Sequence, residues 1–424
     1  MTTIILTQYS GSILGPIAKV LGWIMNWIYL FLANVFGIEN IGITIIVLTI
    51  LIYMCMLPLT IKQQKFSKLQ QTMQPEIRAI QEKYKGRRDQ ESQMAMNEET
   101  QALYAKYGIS PTGTCLPLLL QMPVFLALYR VIYNVPAYVS SVKTAFDGIV
   151  DGIIHTAGFQ GIMEKFLESL NLTQQIKADF NSTDLTAVKN FIVDSIYKMP
   201  TSGWKTLSES FPNLQEVIHS TKDQLNHMNA FLGLNISDSP VTIISNSMKE
   251  HAYLFVLLAF LIPVASYASQ MMNIKLMPQA DSDPDNPMAK QMKTMNYTMP
   301  LISVGICFTV PVGLGIYWIF SSLTRCVQQY FVNKHIQNLD LDEVIAKNVE
   351  KRKKKLEKMG INENQIRNAA KLSTKSNVQL STTMSKAERD NKIEKAYEYR
   401  KTANPNSLTA KANLVKDFNE RNNK

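Results

Sequence analysis

The chain has 424 residues, 46% of them hydrophobic, and a formal net charge of +10. Its mean hydropathy is near zero only because very apolar blocks alternate with very polar ones. Four cysteines without a CxxC pair, and five scattered histidines without HExxH, exclude a disulfide framework, a zinc site and a metal enzyme, and no cofactor is expected.

Residues 1–40 show no signal peptide with a basic start, apolar core and small-residue cleavage site, and no lipobox cysteine. Within them, residues 16–36 are long enough to span a bilayer. Lys19, Gly22, Asn26, Tyr29 and Ala33 recur at spacings of three and four, which places the less apolar positions on one stripe. The stripe predicts an interfacial helix lying along the membrane, with a full span as the alternative. Residues 41–60 form the first span, ended by Leu57-Pro58-Leu59-Thr60-Ile61-Lys62.

Residues 61–112 read as two charged helices with Lys85-Gly86-Arg87-Arg88 as their turn and Gly108 as their stop. Phe66, Leu69, Met73, Ile77 and Ile80 stripe the first helix. Met94, Met96, Leu103 and Tyr107 anchor the second, so an antiparallel hairpin is expected. Residues 113–135 form the second span, with a kink expected at Met122-Pro123.

Residues 136–250 look helical and soluble, with apolar groups at Phe191, Ile192, Ile196 and Tyr197 and a break at Phe211-Pro212-Asn213. The Asp-Gly pairs at 147–148 and 151–152 read as turns. Residues 251–273 are the third span, 274–296 a cytoplasmic loop, and 297–333 the fourth and fifth spans, joined by Pro311-Val312-Gly313. The fourth apolar stretch is only about 14–17 residues, ~21–26 Å of helix, against a hydrocarbon core of about 30 Å. Either the bilayer thins there or less apolar residues lengthen the helix. Residues 334–424 are a basic tail. It begins with a helix, EVIAKNVEKRKKKLEKM, expected to have a one-signed face, and ends in a Ser/Thr/Asn/Lys-rich stretch, 372–424, expected to be disordered. Lys351, Arg352, Lys353, Lys354 and Lys355 suit contact with anionic lipid or with ribosomal RNA phosphates.

Charge placement orients the chain. Residues 61–112 carry nine Lys/Arg against six acids, the tail twenty-one against twelve, and 136–250 eight lysines against twelve acids. Basic flanks face the cytoplasm, which puts the hairpin and the C-terminus inside, 136–250 outside, and the N-terminus of a five-span chain outside. The spans hold no Asp or Glu, which disfavours a proton- or ion-coupled transporter. Ser321 and Ser322 have no histidine in their span, only His335 beyond its inner end, which disfavours a hydrolase. What the spans do hold is a neutral polar set: Thr49, Tyr53, Gln121, Gln270, Tyr317, Trp318, Ser321 and Gln328. Such residues line a path or cavity, or bond helix to helix.

Four segments carry a resemblance. LPLTIKQQKFSKLQ (57–70), QPEIRAIQEKYK (74–85), NEETQALYAKYGISPTGTCLPLLLQMPVFLALYR (97–130) and GLGIYWIFSSLTRCVQQYFVNK (313–334) resemble, in order and spacing, the YidC/Oxa/Alb family of membrane protein insertases, most closely the clostridial type. The resemblance covers about two thirds of the chain and leaves out 136–250 and the last fifty residues. It implies an all-α polytopic membrane protein in the bacterial cell membrane. A five-span core would enclose a groove open to cytoplasm and lipid, preceded by the interfacial helix. It implies no enzyme but an insertase and chaperone, whose partners are nascent membrane proteins, the lipid bilayer, the ribosome and the Sec translocon. By the same resemblance Gln270 matches a polar groove position and Trp318 the aromatic of the fifth-span motif. One departure stands out. Many bacterial members carry an arginine five residues before the first-span proline, where this chain has Tyr53 ahead of Pro58. Arg130 is the candidate replacement cation, with snorkelling to the outer interface as its alternative.

Overall fold

The computed structural model describes residue 8 and residues 11–87, 89–109, 116–174, 176–277 and 287–358. The stretch 372–424, expected to be disordered, and 278–286 of the expected 274–296 loop lie outside the described residues; most of the rest of that loop is instead helical, as the end of one helix at Leu276 and the start of the next at Pro287. Fifteen helices are described: α1 (Leu14–Phe36), α2 (Ile41–Lys83), α3 (Gln90–Lys106), α4 (Leu116–Tyr133), α5 (Ser140–Thr144), α6 (Asp147–Ile154), α7 (Phe159–Ser169), α8 (Leu185–Lys198), α9 (Gly203–Ser210), α10 (Gln215–Asn229), α11 (Pro240–Lys249), α12 (Tyr253–Leu276), α13 (Pro287–Thr309), α14 (Val312–Gln337) and α15 (Leu341–Lys358). The only strand pairing among the described residues is a two-residue ladder, Ala230–Phe231 with Leu234–Asn235. Three helices, α1, α2 and α12, are long and apolar enough to cross a membrane by length and composition.

The less apolar stripe of α1 turns onto protein from Gly22 to Ala33, while Lys19 at its start is exposed. Gly22 lets Tyr138 lie so close that a Cβ would stand 2.1 Å from its ring. The Asn26 carbonyl oxygen accepts from the Ser140 backbone N–H at 2.9 Å. Trp23, Trp27, Phe31 and Val35 form the opposite, exposed face. An apolar outer face with its polar atoms turned onto protein is what contact with hydrocarbon favours. Gly37, at a left-handed φ of 67°, ends α1. Asn40 then caps α2, accepting from Ile43 N–H and donating to the Ala230 carbonyl at 2.6 Å.

The helix does not stop at Pro58. Helix α2 runs 43 residues through Pro58 and Pro75, about 65 Å at 1.5 Å per residue. A proline costs one intrahelical bond, whereas breaking the helix in lipid would expose several backbone groups. The outer half of α2 packs in the bundle and its inner half becomes one arm of the hairpin. There Met73 and Ile77 meet Leu103 and Tyr107 of the α3 arm. Lys106 Nζ bonds Glu76 at 2.7 Å, and Lys83 bonds Glu99 at 2.5 Å. These pairs run in opposite sequence directions, so the arms are antiparallel.

Helix α14 is the central element, packed along both α12 and α2. Gly315 permits this closeness, since a Cβ there would lie 2.4 Å from Ile262 Cγ2. Helix α13 is 23 residues long and starts at Pro287, about 35 Å. The helix thus begins in the polar residues before 297. The turn between α13 and α14 is held from outside: Val312 and Gly313 N–H groups donate to the carbonyls of Asp238 and Ile236 at 2.9 and 3.0 Å.

Residues 136–250 fold as a helical unit whose buried side chains, among them Phe146, Phe166, Ile192, Ile196, Leu207 and Phe211, are continuous with the core of the bundle. The break at 211–213 is present, as a 3-10 turn between α9 and α10. The Asp-Gly pairs are not turns; both lie inside α6. Their glycines instead admit the neighbouring chain, and a Cβ on Gly152 would stand 2.9 Å from Leu214.

The tail helix α15 docks on the hairpin. Ile345 joins the hairpin's apolar cluster. Gly108, at φ 65°, lies so close to Asn348 and Val349 that a Cβ would meet the Val349 nitrogen at 2.6 Å. The basic face of α15 is not one-signed, because Lys347 pairs with Glu343 and Lys354 with Glu350.

Candidate functional site

The N-terminal ends of α2 and α14 are fixed beside one another by the 230–238 segment, through Asn40 on one and Val312 and Gly313 on the other. Tyr53 follows the start of α2 by twelve residues, and Tyr317 and Arg325 follow the start of α14 by five and thirteen. Helix α4 runs the opposite way and brings Gln121 up from its inner end. The three helices thereby assemble one polar cluster inside the bundle.

Tyr53 is its centre, with only 4% of its surface exposed. Gln121 Nε2 lies 3.2 Å from the Tyr53 hydroxyl and 3.4 Å from that of Tyr317. Gln328 Nε2 donates to the Tyr53 backbone carbonyl at 2.7 Å. Phe125 stacks on Trp318 at a centroid distance of 6.0 Å and lies 6.1 Å from Tyr317, closing the apolar side. The Gln328 carbonyl oxygen and the Ser322 hydroxyl are buried with no hydrogen-bond partner among the described residues. A buried polar atom left unpaired is costly.

Sequence reasoning missed Arg325. Its guanidinium carbon sits 5.5 Å from the Tyr53 ring centroid, over the ring face, and its Nε donates to the Ser321 carbonyl at 3.3 Å. The signal was present in the sequence. In SSLTRCVQQYF an arginine is followed by eight further uncharged residues before Lys334, so it lies well inside the helix rather than at its flank.

The other expected residues divide. Thr49 is fully buried and donates to Ile45 O on its own helix at 2.6 Å. Ser321 donates in the same way to Trp318 O at 2.9 Å. Neither joins the cluster through its side chain. Gln270 belongs to a second set on α12 and α13, donating to Ser266 Oγ at 3.0 Å and accepting from Ser303 Oγ at 3.1 Å. A third set lies nearer the hairpin: Gln64 Nε2 donates to Gln329 Oε1 at 2.7 Å, Gln329 to Asn333, and Asn333 to the Leu276 carbonyl. Arg130 is not part of the Tyr53 cluster. It stands at the last turn of α4, 5.8 Å over the Tyr129 ring, close enough to Lys198 of the outer unit to lower that amine's pKa, secondary to burial.

On α15, Lys351 and Lys353 are exposed, Arg352 is half-buried and Lys354 is paired with Glu350. The Lys355 side chain lies outside the described residues. Among the described residues no cluster of His, Cys, Asp or Glu could hold a metal ion.

A family model described as the 60Kd inner membrane protein matches residues 31–339. The chain is 43% identical over 108 residues to "Membrane protein insertase YidC 1" of Halalkalibacterium halodurans, a match covering 26% of this chain and 41% of that protein. It is 36% identical over 144 residues to "Membrane protein insertase YidC" of Bifidobacterium longum, covering 33% and 42%. It is 42% identical over 99 residues to "Membrane protein insertase MisCA" of Bacillus subtilis, covering 23% and 38%. The chain thus spans less than half the length of the curated relatives it matches.

Proposed function

Because the chain belongs to the 60Kd inner membrane protein family, the YidC/Oxa/Alb insertases, we propose that it inserts newly made membrane proteins and helps them fold. Its motifs favour the clostridial-type branch. The observation that carries the mechanism is the cluster of Tyr53, Gln121, Tyr317 and Gln328 at mid-helix, together with polar atoms that have no protein partner.

The groove is a hydrogen-bonding notch reaching halfway into the bilayer from the cytoplasm, with α2, α4 and α14 as its walls. A substrate's hydrophilic flank enters it and exchanges water for fixed amides and hydroxyls, which lowers the desolvation cost of crossing. Its apolar segment then leaves sideways into lipid, driven by burial at roughly 25 cal/mol per Å2. No covalent step is needed, and the chain has no GxxxxGK[ST] loop for using ATP. Helices α2, α4, α12, α13 and α14 are the five spans, α1 lies along the outer face, and the C-terminus is cytoplasmic. The α2/α3 hairpin receives the nascent chain. The basic face of α15 meets the ribosome or anionic lipid, and the Sec translocon is a second partner for larger substrates.

Site-specific photo-crosslinkers at Gln121, Gln328 and Gln270, and along the hairpin, test this on ribosome-bound nascent chains. Crosslinks to the substrate from Gln121 and Gln328 are expected. Crosslinks from the hairpin alone would remove the groove from the mechanism.

A further inference from the structure

The turn at 231–234 carries a leucine where the backbone disfavours one. Leu232 and Gly233 follow one another at φ 50° and 80° and join the two-residue strands Ala230–Phe231 and Leu234–Asn235. Two successive residues at positive φ fit the tight hairpin turn that prefers Asn-Gly. Leucine in the left-handed region crowds its Cβ against the following carbonyl, and it lacks the short polar side chain that eases Asn or Asp there. Burial within the protein does not offset that strain, because Leu232 is 68% exposed. A large apolar side chain on a strained backbone gains nothing from facing water.

Membrane-length helices fix where this turn sits. The Asn40 side-chain amide donates to the Ala230 carbonyl at 2.6 Å. Phe231 lies against Gly42, where a Cβ would stand 2.7 Å from its ring, and a Cβ on Gly233 would lie 3.2 Å from the Phe255 ring. The turn is thus held against the first turns of both α2 and α12. Exposed apolar surface begins at the same level. On α12, Leu254, Leu257, Leu261 and Val264 are exposed at spacings of three and four, on a helix long and apolar enough to cross a membrane. At the end of α1, just before Asn40, Val35 and Phe36 are exposed. Helix α11 packs along α12 and leaves Val241 and Met248 exposed, at i and i+7 on one helical face.

We propose that this edge of the 136–250 unit, with Leu232 at the tip of its turn and Val241 and Met248 on α11, is seated in the bilayer leaflet on that unit's own side. Its occupant is lipid, the acyl chains at the headgroup boundary, because the apolar surface continues from the exposed faces of α12 and α1. Moving the Leu232 side chain out of water offsets the strain of its backbone. The unit is then held down on the bilayer rather than standing clear of it. The same segment carries that position to the α13–α14 turn, whose Val312 and Gly313 N–H groups hang from the carbonyls of Asp238 and Ile236. This surface does not involve the Tyr53 cluster, and the proposal does not use the insertion reading.

The test places a photoreactive diazirine amino acid at 232, 248 or 185, one at a time, in the full chain. The chain is held in proteoliposomes of phosphatidylethanolamine and phosphatidylglycerol, and mass spectrometry reads what the probe captures. Leu185 is the reference, an apolar residue of the same unit, 55% exposed. It lies at the opposite end of α8 from Lys198, which rests on the Tyr133 ring of α4. Lipid adducts from 232 and 248 are expected about ten-fold above those from 185, as the transfer of a leucine side chain out of water implies. Capture of water at 232, or of lipid equally from 232 and 185, overturns the proposal. So does capture of a second copy of the chain at 232, which would make the edge a protein interface. Leu232→Asn separates seating from folding, because asparagine is eased in the left-handed backbone. Protease resistance of 136–250 should be kept in that variant while lipid capture from 248 falls several-fold. Undiminished capture from 248 would show that Leu232 does not hold the edge in lipid, and would overturn the proposal as well.

Discussion

The cytoplasmic hairpin and the mid-membrane cluster treat charge in opposite ways. In the hairpin, Lys106 and Lys83 reach carboxylates at 2.7 and 2.5 Å although all four groups are well exposed to water. In the bundle, Arg325 lies over the Tyr53 ring and donates to the Ser321 carbonyl, and no carboxylate pairs with it among the described residues. Exposed pairs contribute little to stability, while an unpaired cation in lipid is expensive. The chain thus pairs its charges where pairing hardly matters and leaves one open where it matters most. Stability in the hairpin comes from Met73, Ile77, Leu103 and Tyr107.

The strongest way to break this contrast is to remove the hairpin's apolar anchor. Met73 is fully buried, so Met73→Ala should cost about 2–5 kcal/mol of hairpin stability. Hydrogen exchange over α3 should rise while α12 and α14 stay protected. Equal loosening of both regions would show that hairpin and bundle share one cooperative unit. Next is Gly108→Val. It forces a β-branched residue to φ 65° and drives its Cβ toward Val349 N, at a backbone cost of roughly 1–2 kcal/mol before any clash. Release of α15, seen as protease cutting between 341 and 358, is the expected result. An undisturbed α15 would mean that Ile345 alone holds the helix.

On the bundle side, the double variant Tyr53→Leu with Gln270→Leu should lower insertion about ten-fold, equivalent to ~1.4 kcal/mol, with folded yield maintained. The two residues sit in separate hydrogen-bond sets. Single variants should therefore act independently and combine multiplicatively. Strong non-additivity would merge the two sets into a single path.

How far the sequence disclosed all this depends on which physical effect wrote each feature. The stripe from Leu69 to Ile80 announced the hairpin because burial acts on periodicity directly. The hairpin turn at Pro311 was equally plain. Pro58 closed the apolar run in the sequence but does not close the helix, since a proline removes one intrahelical bond and a packed helix can run on through it. The glycine at 152 misled because a close approach, here by Leu214, and a turn leave the same letter in the sequence. Tyr53, Gln121, Tyr317 and Gln328 were found as polar letters in apolar runs, yet their meeting depends on three helices being in register. Arg325 was passed over because arginine near a span's inner third reads like flanking charge. Only the depth of Tyr53 across the bundle shows that it is not.

The smallest effect expected lies in the pair that looks strongest on paper. Hydrogen bonds from Lys106 and Tyr107 hold the Glu76 carboxyl below its usual value of 4.5. A lowered folded-state value means that the carboxylate favours the closed hairpin, fully so above about pH 4.5, and that this contribution fades as pH falls through the lower value. Glu76 is well exposed, however, so the whole contribution should stay under about 1 kcal/mol. Glu76→Gln should therefore leave the hairpin closed at neutral pH and flatten its acid sensitivity. A fluorescence-transfer pair across α2 and α3, read from about pH 7 to pH 3 around the reference carboxylate value, measures both. If Glu76→Gln opened the hairpin at neutral pH, charge rather than the Met73 cluster would be holding the arms together. The contrast with Arg325 would then lose its footing, since both regions would spend their charges on structure.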